Sequence, residues 1–204
     1  MFYLLLNSSP MKRVIDVSAW ACGDRLLTVN NGDEGQGCYR EILIAIAGQM
    51  EAMLSYHSKV LVIRADLRVS TFTANNRLLS RYMEKLKRHL QGVYGMKRIG
   101  FVWAREQERA KQQHYHVGLM LNGNQIQFPS ELLAWIDTKW QEKNQPKIYV
   151  PENCFNMVKR SSQGSFNKAF YRLSYLAKVR GKGYRPDAVN DYSTSRLKPR
   201  VISS

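Results

Sequence analysis

The sequence predicts an α+β fold: an antiparallel sheet of about five strands, with a histidine-bearing strand at its centre and helices packed on one face. Three observations predict it. Segments 59–68, 97–106 and 114–121 are rich in β-branched and aromatic residues and alternate in polarity, the period of a strand. Segments 39–56, 75–90, 130–142 and 166–180 instead repeat apolar residues every three to four positions, the period of a helix. The polar connection Gln107–Gln113 is short, so the strands on either side of it join as an antiparallel hairpin. At 204 residues with 44% hydrophobic side chains, the chain suits one domain with a modest extension.

Each element has its own warrant. Residues 1–37 are mixed in character, and Asn30-Asn-Gly-Asp-Glu-Gly-Gln-Gly37 reads as a loop. Tyr39 to Tyr56 reads as a helix carrying Ile42, Ile46, Met50 and Met53 on one side. In the strand Lys59–Arg68, the apolar run gives way to alternation that places Arg64, Asp66 and Arg68 on one face. Asn75 and Asn76 suit a helix start, Leu79, Tyr82, Met83, Leu86 and Leu90 form its stripe, and Gly92 is the expected stop. Pro129-Ser130 opens a further helix to about Glu142, and Cys154–Val158 is a short strand. Gln163-Gly-Ser165 reads as a break before a helix from Phe166 to Arg180. Gly181 to Pro186 is a basic loop, and the tail after it is expected to be loosely ordered. The chain therefore divides into an extension with one helix (1–58), a main domain (59–185) and a basic tail (186–204).

Charge narrows the partner. The net charge is +15, and residues 158–200 hold eleven Lys/Arg against two Asp/Glu. Residues 1–58 are slightly acidic, with four against six. Lysine and arginine interleaved with tyrosine and phenylalanine suit a polyphosphate such as single-stranded nucleic acid. Lys159, Arg160, Arg172, Arg180, Lys182 and Arg185 are the expected phosphate contacts. Three widely spaced cysteines with no C-x-x-C read as reduced thiols in a cytoplasmic protein. The run Phe2–Leu6 is too short for a membrane span and lacks a basic flank, so no membrane partner is expected. Neither a Walker A loop nor H-E-x-x-H is present, so an NTPase and that type of zinc protease are not indicated.

Two constellations carry chemistry. In His114-Tyr-His116 alternation sends both imidazoles to one face, their Cα atoms roughly 6.7 Å apart, a span one hydrated cation or one phosphate bridges. The hairpin brings a carboxylate beside them, Glu106 or Glu108. On the later helix, Tyr171, Tyr175 and Lys178 fall at i, i+4 and i+7 and share a face. A phenol with an ordinary pKa of ~10 is a weak nucleophile, and the ammonium of Lys178 one turn away favours the phenolate.

Trp103-Ala-Arg-Glu106, Gln113-His-Tyr-His-Val117 and Tyr171-Arg-Leu-Ser-Tyr-Leu-Ala-Lys178 together resemble the HUH endonuclease superfamily. Within it they look like inovirus-type replication initiators, particularly the prophage-borne YagK/YfjJ members, over most of 59–185. The resemblance implies that His114 and His116, with Glu106 as third ligand, hold Mg²⁺ or Mn²⁺. It implies that Tyr175 attacks a DNA phosphate, assisted by Lys178, leaving a 5′-phosphotyrosine and a free 3′-OH. The implied function is DNA nicking and strand transfer that initiates rolling-circle replication, with origin DNA as substrate and host replication machinery as a further partner. Two-tyrosine members carry a second tyrosine after the lysine; here Val179 follows Lys178, which favours a single-tyrosine enzyme. The rival readings are a catalytically degenerate, repressor-like DNA-binding protein and a hydrolase of small phosphoesters, the latter disfavoured by the basic C-terminal block.

Overall fold

The computed structural model describes residues 13–31, 37–107 and 112–201; the run 2–6 lies outside them. Four short strands come first. β1 (Val14–Ile15) pairs with β4 (Cys38–Tyr39), and β2 (Ala19–Cys22) folds back on β3 (Arg25–Thr28). α1 (Arg40–Tyr56), β5 (Lys59–Arg68), α2 (Arg77–Tyr94), β6 (Gly100–Glu106), β7 (His114–Asn122), α3 (Ser130–Gln141) and β8 (Phe155–Lys159) follow in order. α4 (Gln163–Ser174) runs into a single 3-10 turn, Tyr175–Ala177, and β9 (Tyr192–Thr194) closes the described chain.

The main sheet is five-stranded and antiparallel throughout, in the order β8-β5-β7-β6-β9, so the histidine strand β7 is central. Its two neighbours fix the register that matters. Asp66 of β5 stands opposite His116, and Glu106 of β6 stands opposite His114.

Helices cover both faces of this sheet, where a single covered face was expected. α1 and α4 pack on Val60, Val62, Val102, Ala104, Met120 and Val158. α2 and α3 pack on Leu61, Ile63, Trp103, Tyr115, Val117, Leu119 and Leu121. The physical reason lies in β5, whose Val60-Leu-Val-Ile63 is apolar at consecutive positions, the pattern of a strand buried on both sides. Each fully buried aliphatic side chain contributes roughly 1.5–3 kcal/mol, so the two cores share the stabilisation.

Several boundaries move from their sequence-based positions. α2 ends at Gly95 rather than Gly92, and its first turn is served by Asn75, whose Oδ1 accepts from the Arg77 amide at 2.9 Å. The expected helix 166–180 starts earlier and stops sooner. Ser162 is its N-cap, accepting from the Ser165 amide at 3.2 Å, so 163–165 is the first turn and not a break. At the other end Lys178 leaves the helical region (φ −50°, ψ 138°) because it bridges to Cys38, while the Val179 amide donates to Gly37 O at 3.1 Å. In the C-terminal segment, expected to be loosely ordered, Tyr192–Thr194 pairs with β6 as an edge strand.

α4 approaches the sheet closely at Gly118. A Cβ there would lie 2.7 Å from Leu173 Cδ2, so a larger residue would push α4 off β7. The loop end of the β6–β7 hairpin is pinned on the opposite face. Arg105 donates to Thr73 O (2.6 Å) and Gln113 Oε1 (3.2 Å), and Gln113 Nε2 donates to the Tyr115 hydroxyl at 3.0 Å. This buried network holds the two residues next to it, Glu106 and His114, in register.

Candidate metal centre and nucleophile

Glu106, His114 and His116 come together under α4 and the loop that follows it, offering ligand atoms that all lie within 4.8 Å of one another. His114 Nε2 is 3.2 Å from His116 Nε2, His116 Nε2 is 2.9 Å from Glu106 Oε2, and His114 Nε2 is 3.8 Å from Glu106 Oε1. Glu108, the other carboxylate weighed for this position, lies outside the described residues.

The donor set fits a divalent cation. One ring N–H on His116 Nε2 cannot serve both His114 and Glu106, so three electron-rich atoms crowd a point that a cation would satisfy. Cis ligands at ~2.1 Å in an octahedral shell lie ~3.0 Å apart, close to the two shorter separations. Two imidazoles and one carboxylate leave positions open for phosphate and water.

Asp66 supports the centre from behind. Its Oδ1 lies 2.7 Å from His116 Nδ1, off the line along which a ring N–H donates. With a cation at the centre, the carboxylate favours the proton on Nδ1, which leaves the Nε2 lone pair to face the cation. Arg64, one same-face step along β5, grips Asp66 with Nε–Oδ1 at 3.3 Å and Nη2–Oδ2 at 3.2 Å. Its guanidinium also sits 3.9 Å over the Tyr175 ring.

Electrostatics follow from this crowding. Burial pushes the Glu106 carboxyl up, but the hydrogen bond and charge of His116, then Lys182 and His114, hold it down at about 2. Asp66 is likewise burdened by burial yet held below its usual range by His116 and Arg64. Burial, then the neighbouring His116, push His114 below its usual value, so its ring is neutral at pH 7 and has a lone pair to offer.

Tyr175 is half-buried beside the centre, its ring centroid 5.1 Å from that of His116 in an edge-on arrangement. Lys178 Nζ is 4.0 Å from the ring centroid. The expected phenolate is not favoured on balance. Burial first, then Glu106, raise the hydroxyl above its usual value, and the charge of Arg64 only partly pulls it back. Tyr171 does not share this position. The helix tightens at Tyr175 and Lys178 leaves it, so the expected three-residue stripe is broken, and Tyr171 is 39% exposed in a groove toward β8.

The basic residues fall into separate places. Lys159, Arg160 and Arg180 are exposed, and Arg160 Nε donates to Leu54 O at 2.7 Å. Arg172 lines the groove with Tyr171. Arg185 pairs with Asp191 at 2.8 Å. Lys182, grouped by sequence with the surface cations, has a fully buried side chain, its Nζ donating to Lys178 O at 2.6 Å and lying 3.8 Å from Glu106 Oε2. Arg64, Asp66 and Lys182 are thus the neighbours of the centre that sequence reasoning did not assign to it. A signal existed for the first two: charges on one face of an otherwise apolar strand.

The fold and this cluster define an α+β protein with a buried site of two histidines and one glutamate beside a tyrosine. The chain belongs to the YagK/YfjJ C-terminal domain family, a prophage-type family whose pattern it matches over residues 27–190. No curated protein and no solved structure gives a significant match. No helix among the described residues is long and apolar enough to cross a membrane.

Proposed function

We propose that this protein is an HUH-type, metal-dependent DNA endonuclease that nicks one strand and holds it as a phosphotyrosine, initiating rolling-circle replication of a phage-like element. The observation that carries the reading is the edge-on approach of Tyr175 to His116, at 5.1 Å between ring centroids, beside the Glu106–His114–His116 cluster.

Glu106, His114 and His116 would hold Mg²⁺ or Mn²⁺, which supplies Lewis-acid polarisation of a phosphate oxygen. Arg64 and Lys178 hold the Tyr175 ring, so the hydroxyl approaches a bound phosphate from a fixed direction. The phenol oxygen forms the new bond to phosphorus as the bond to the 3′-oxygen breaks. The phenolic proton is lost and the leaving oxygen gains one, giving a 3′-OH and a 5′-phosphotyrosine. The ester keeps the energy of the broken bond, so a later 3′-OH can reverse the step and rejoin the strand.

The test is a denaturing gel after incubating the protein with single-stranded origin oligonucleotides and Mn²⁺. A covalent adduct should form and map to Tyr175, vanish in Tyr175→Phe and persist in Tyr171→Phe. Salt-sensitive DNA binding with no adduct in the wild type would establish the non-catalytic, repressor-like reading instead.

A further inference from the structure

We infer that the groove between α4 and the edge strand β8 is a binding subsite for an unpaired nucleotide of single-stranded DNA, next to the strand position engaged by Tyr175. This rests on the DNA reading above but not on cleavage.

The groove encloses about 490 Å³, within the ~300–1,000 Å³ range of ligand clefts. Its lining joins the exposed ring of Tyr171 to three amides, Asn153, Asn156 and Asn167, and two cations, Lys168 and Arg172, while Phe155 borders it from β8 with its ring turned to the other sheet face against Phe128. No carboxylate among the described residues lines it. Among the described residues neither Lys168 nor Arg172 is matched to an acidic side chain. They lie four apart on α4 and so share one side of the groove.

That mixture matches one chemistry. An unpaired base stacks on an exposed ring whatever its identity, amides reach base edges, and cations meet the phosphates. Duplex DNA hides its base faces in the stack and would leave the Tyr171 ring unused.

Position links the groove to the centre. Tyr171 precedes Tyr175 by four residues, about 6 Å along the helix axis, less than two stacked nucleotide steps of ~3.4 Å. On the other wall, Cys154 O, between Asn153 and Phe155, accepts from the Arg64 amide at 2.7 Å, and Arg64 covers the Tyr175 ring. A strand whose phosphate reaches Tyr175 therefore has its neighbouring nucleotide at Tyr171.

The experiment uses the full chain with EDTA, so that no chemistry intervenes, and follows the anisotropy of a short fluorescein-labelled oligothymidylate. Tyr171→Ala should raise Kd about tenfold, within the range stacking on one ring provides, and Tyr171→Phe should stay within about twofold. Replacing Lys168 and Arg172 by Ala should flatten the slope of log K against log salt by about 1.4, from ~0.7 per phosphate contact. A blunt duplex should bind Tyr171→Ala and wild type alike. Unchanged affinity in Tyr171→Ala, equal losses on duplex, or tighter binding of oligouridylate than oligothymidylate would overturn the inference. An adduct at Tyr175 alongside an unaffected Tyr171→Ala sinks the groove and spares the nickase. The tenfold loss with no adduct does the reverse.

Discussion

His116 is where three demands meet on a single side chain: a neighbouring imidazole, a glutamate and an aspartate on its far nitrogen. A ring gripped from behind presents one nitrogen in one tautomer, which is what a ligand needs. Asp66→Asn should therefore lower Mn²⁺ affinity by about 10- to 100-fold in calorimetry, with an unchanged circular dichroism spectrum. Affinity equal to wild type would mean that Asp66 serves only to neutralise Arg64. The histidine pair was legible from alternation within one strand, and the short hairpin brought Glu106 or Glu108 beside it, a choice only the family resemblance narrowed to Glu106. Asp66 and Arg64 join them through the pairing of β5 with β7, between residues about fifty positions apart, which no local pattern encodes. Lys182 escaped for a different reason: a lysine in a basic, glycine-rich loop gives no sign that its side chain turns inward.

At the scale of elements, the loop after the 3-10 turn acts as the back wall of the centre. The Gln107 amide donates to Gly181 O at 2.7 Å, and a Cβ on Gly181 would lie 2.2 Å from Glu106 Cγ. Gly181 also has φ +73°, whereas Gly183, at φ +92°, has open space where a Cβ would go. The pair separates two effects. Gly183→Ala should cost only the left-handed backbone penalty of about 1–2 kcal/mol and leave Mn²⁺ affinity intact. Gly181→Ala should cost more and weaken Mn²⁺ binding as well, because Glu106 must move. Equal metal affinity in the two variants would show that the loop does not position Glu106. The centres of the helices and long strands were readable from periodicity, and β5 begins and ends where alternation and apolar run place it. The end of α4 was not, since its exit is set by a bridge from Lys178 to Cys38, far away in sequence. β9 is three residues long and too short to carry a period.

For the whole molecule, the two cores make the site separable from the fold. The histidines sit on the α1–α4 side of β7, while Tyr115, Val117, Leu119 and Leu121 pack on the α2–α3 side. Removing both imidazoles deletes the two nitrogen donors of the cluster and leaves that second core untouched, so His114→Ala with His116→Ala should still unfold in one cooperative transition. Because a cation held by three residues binds the folded chain and not the unfolded one, it adds stability by mass action. At a Mn²⁺ concentration about a hundred times Kd, the gain is about 2.7 kcal/mol. For a chain of this length that is a rise in Tm of roughly 5–10 °C. The double variant should show none of that rise, and Glu106→Gln only part of it. Thermal melts with EDTA and with Mn²⁺ make the comparison without any DNA. A Tm that climbs equally in wild type and double variant would place the cation elsewhere on the protein and remove the metal from the site that β6 and β7 build.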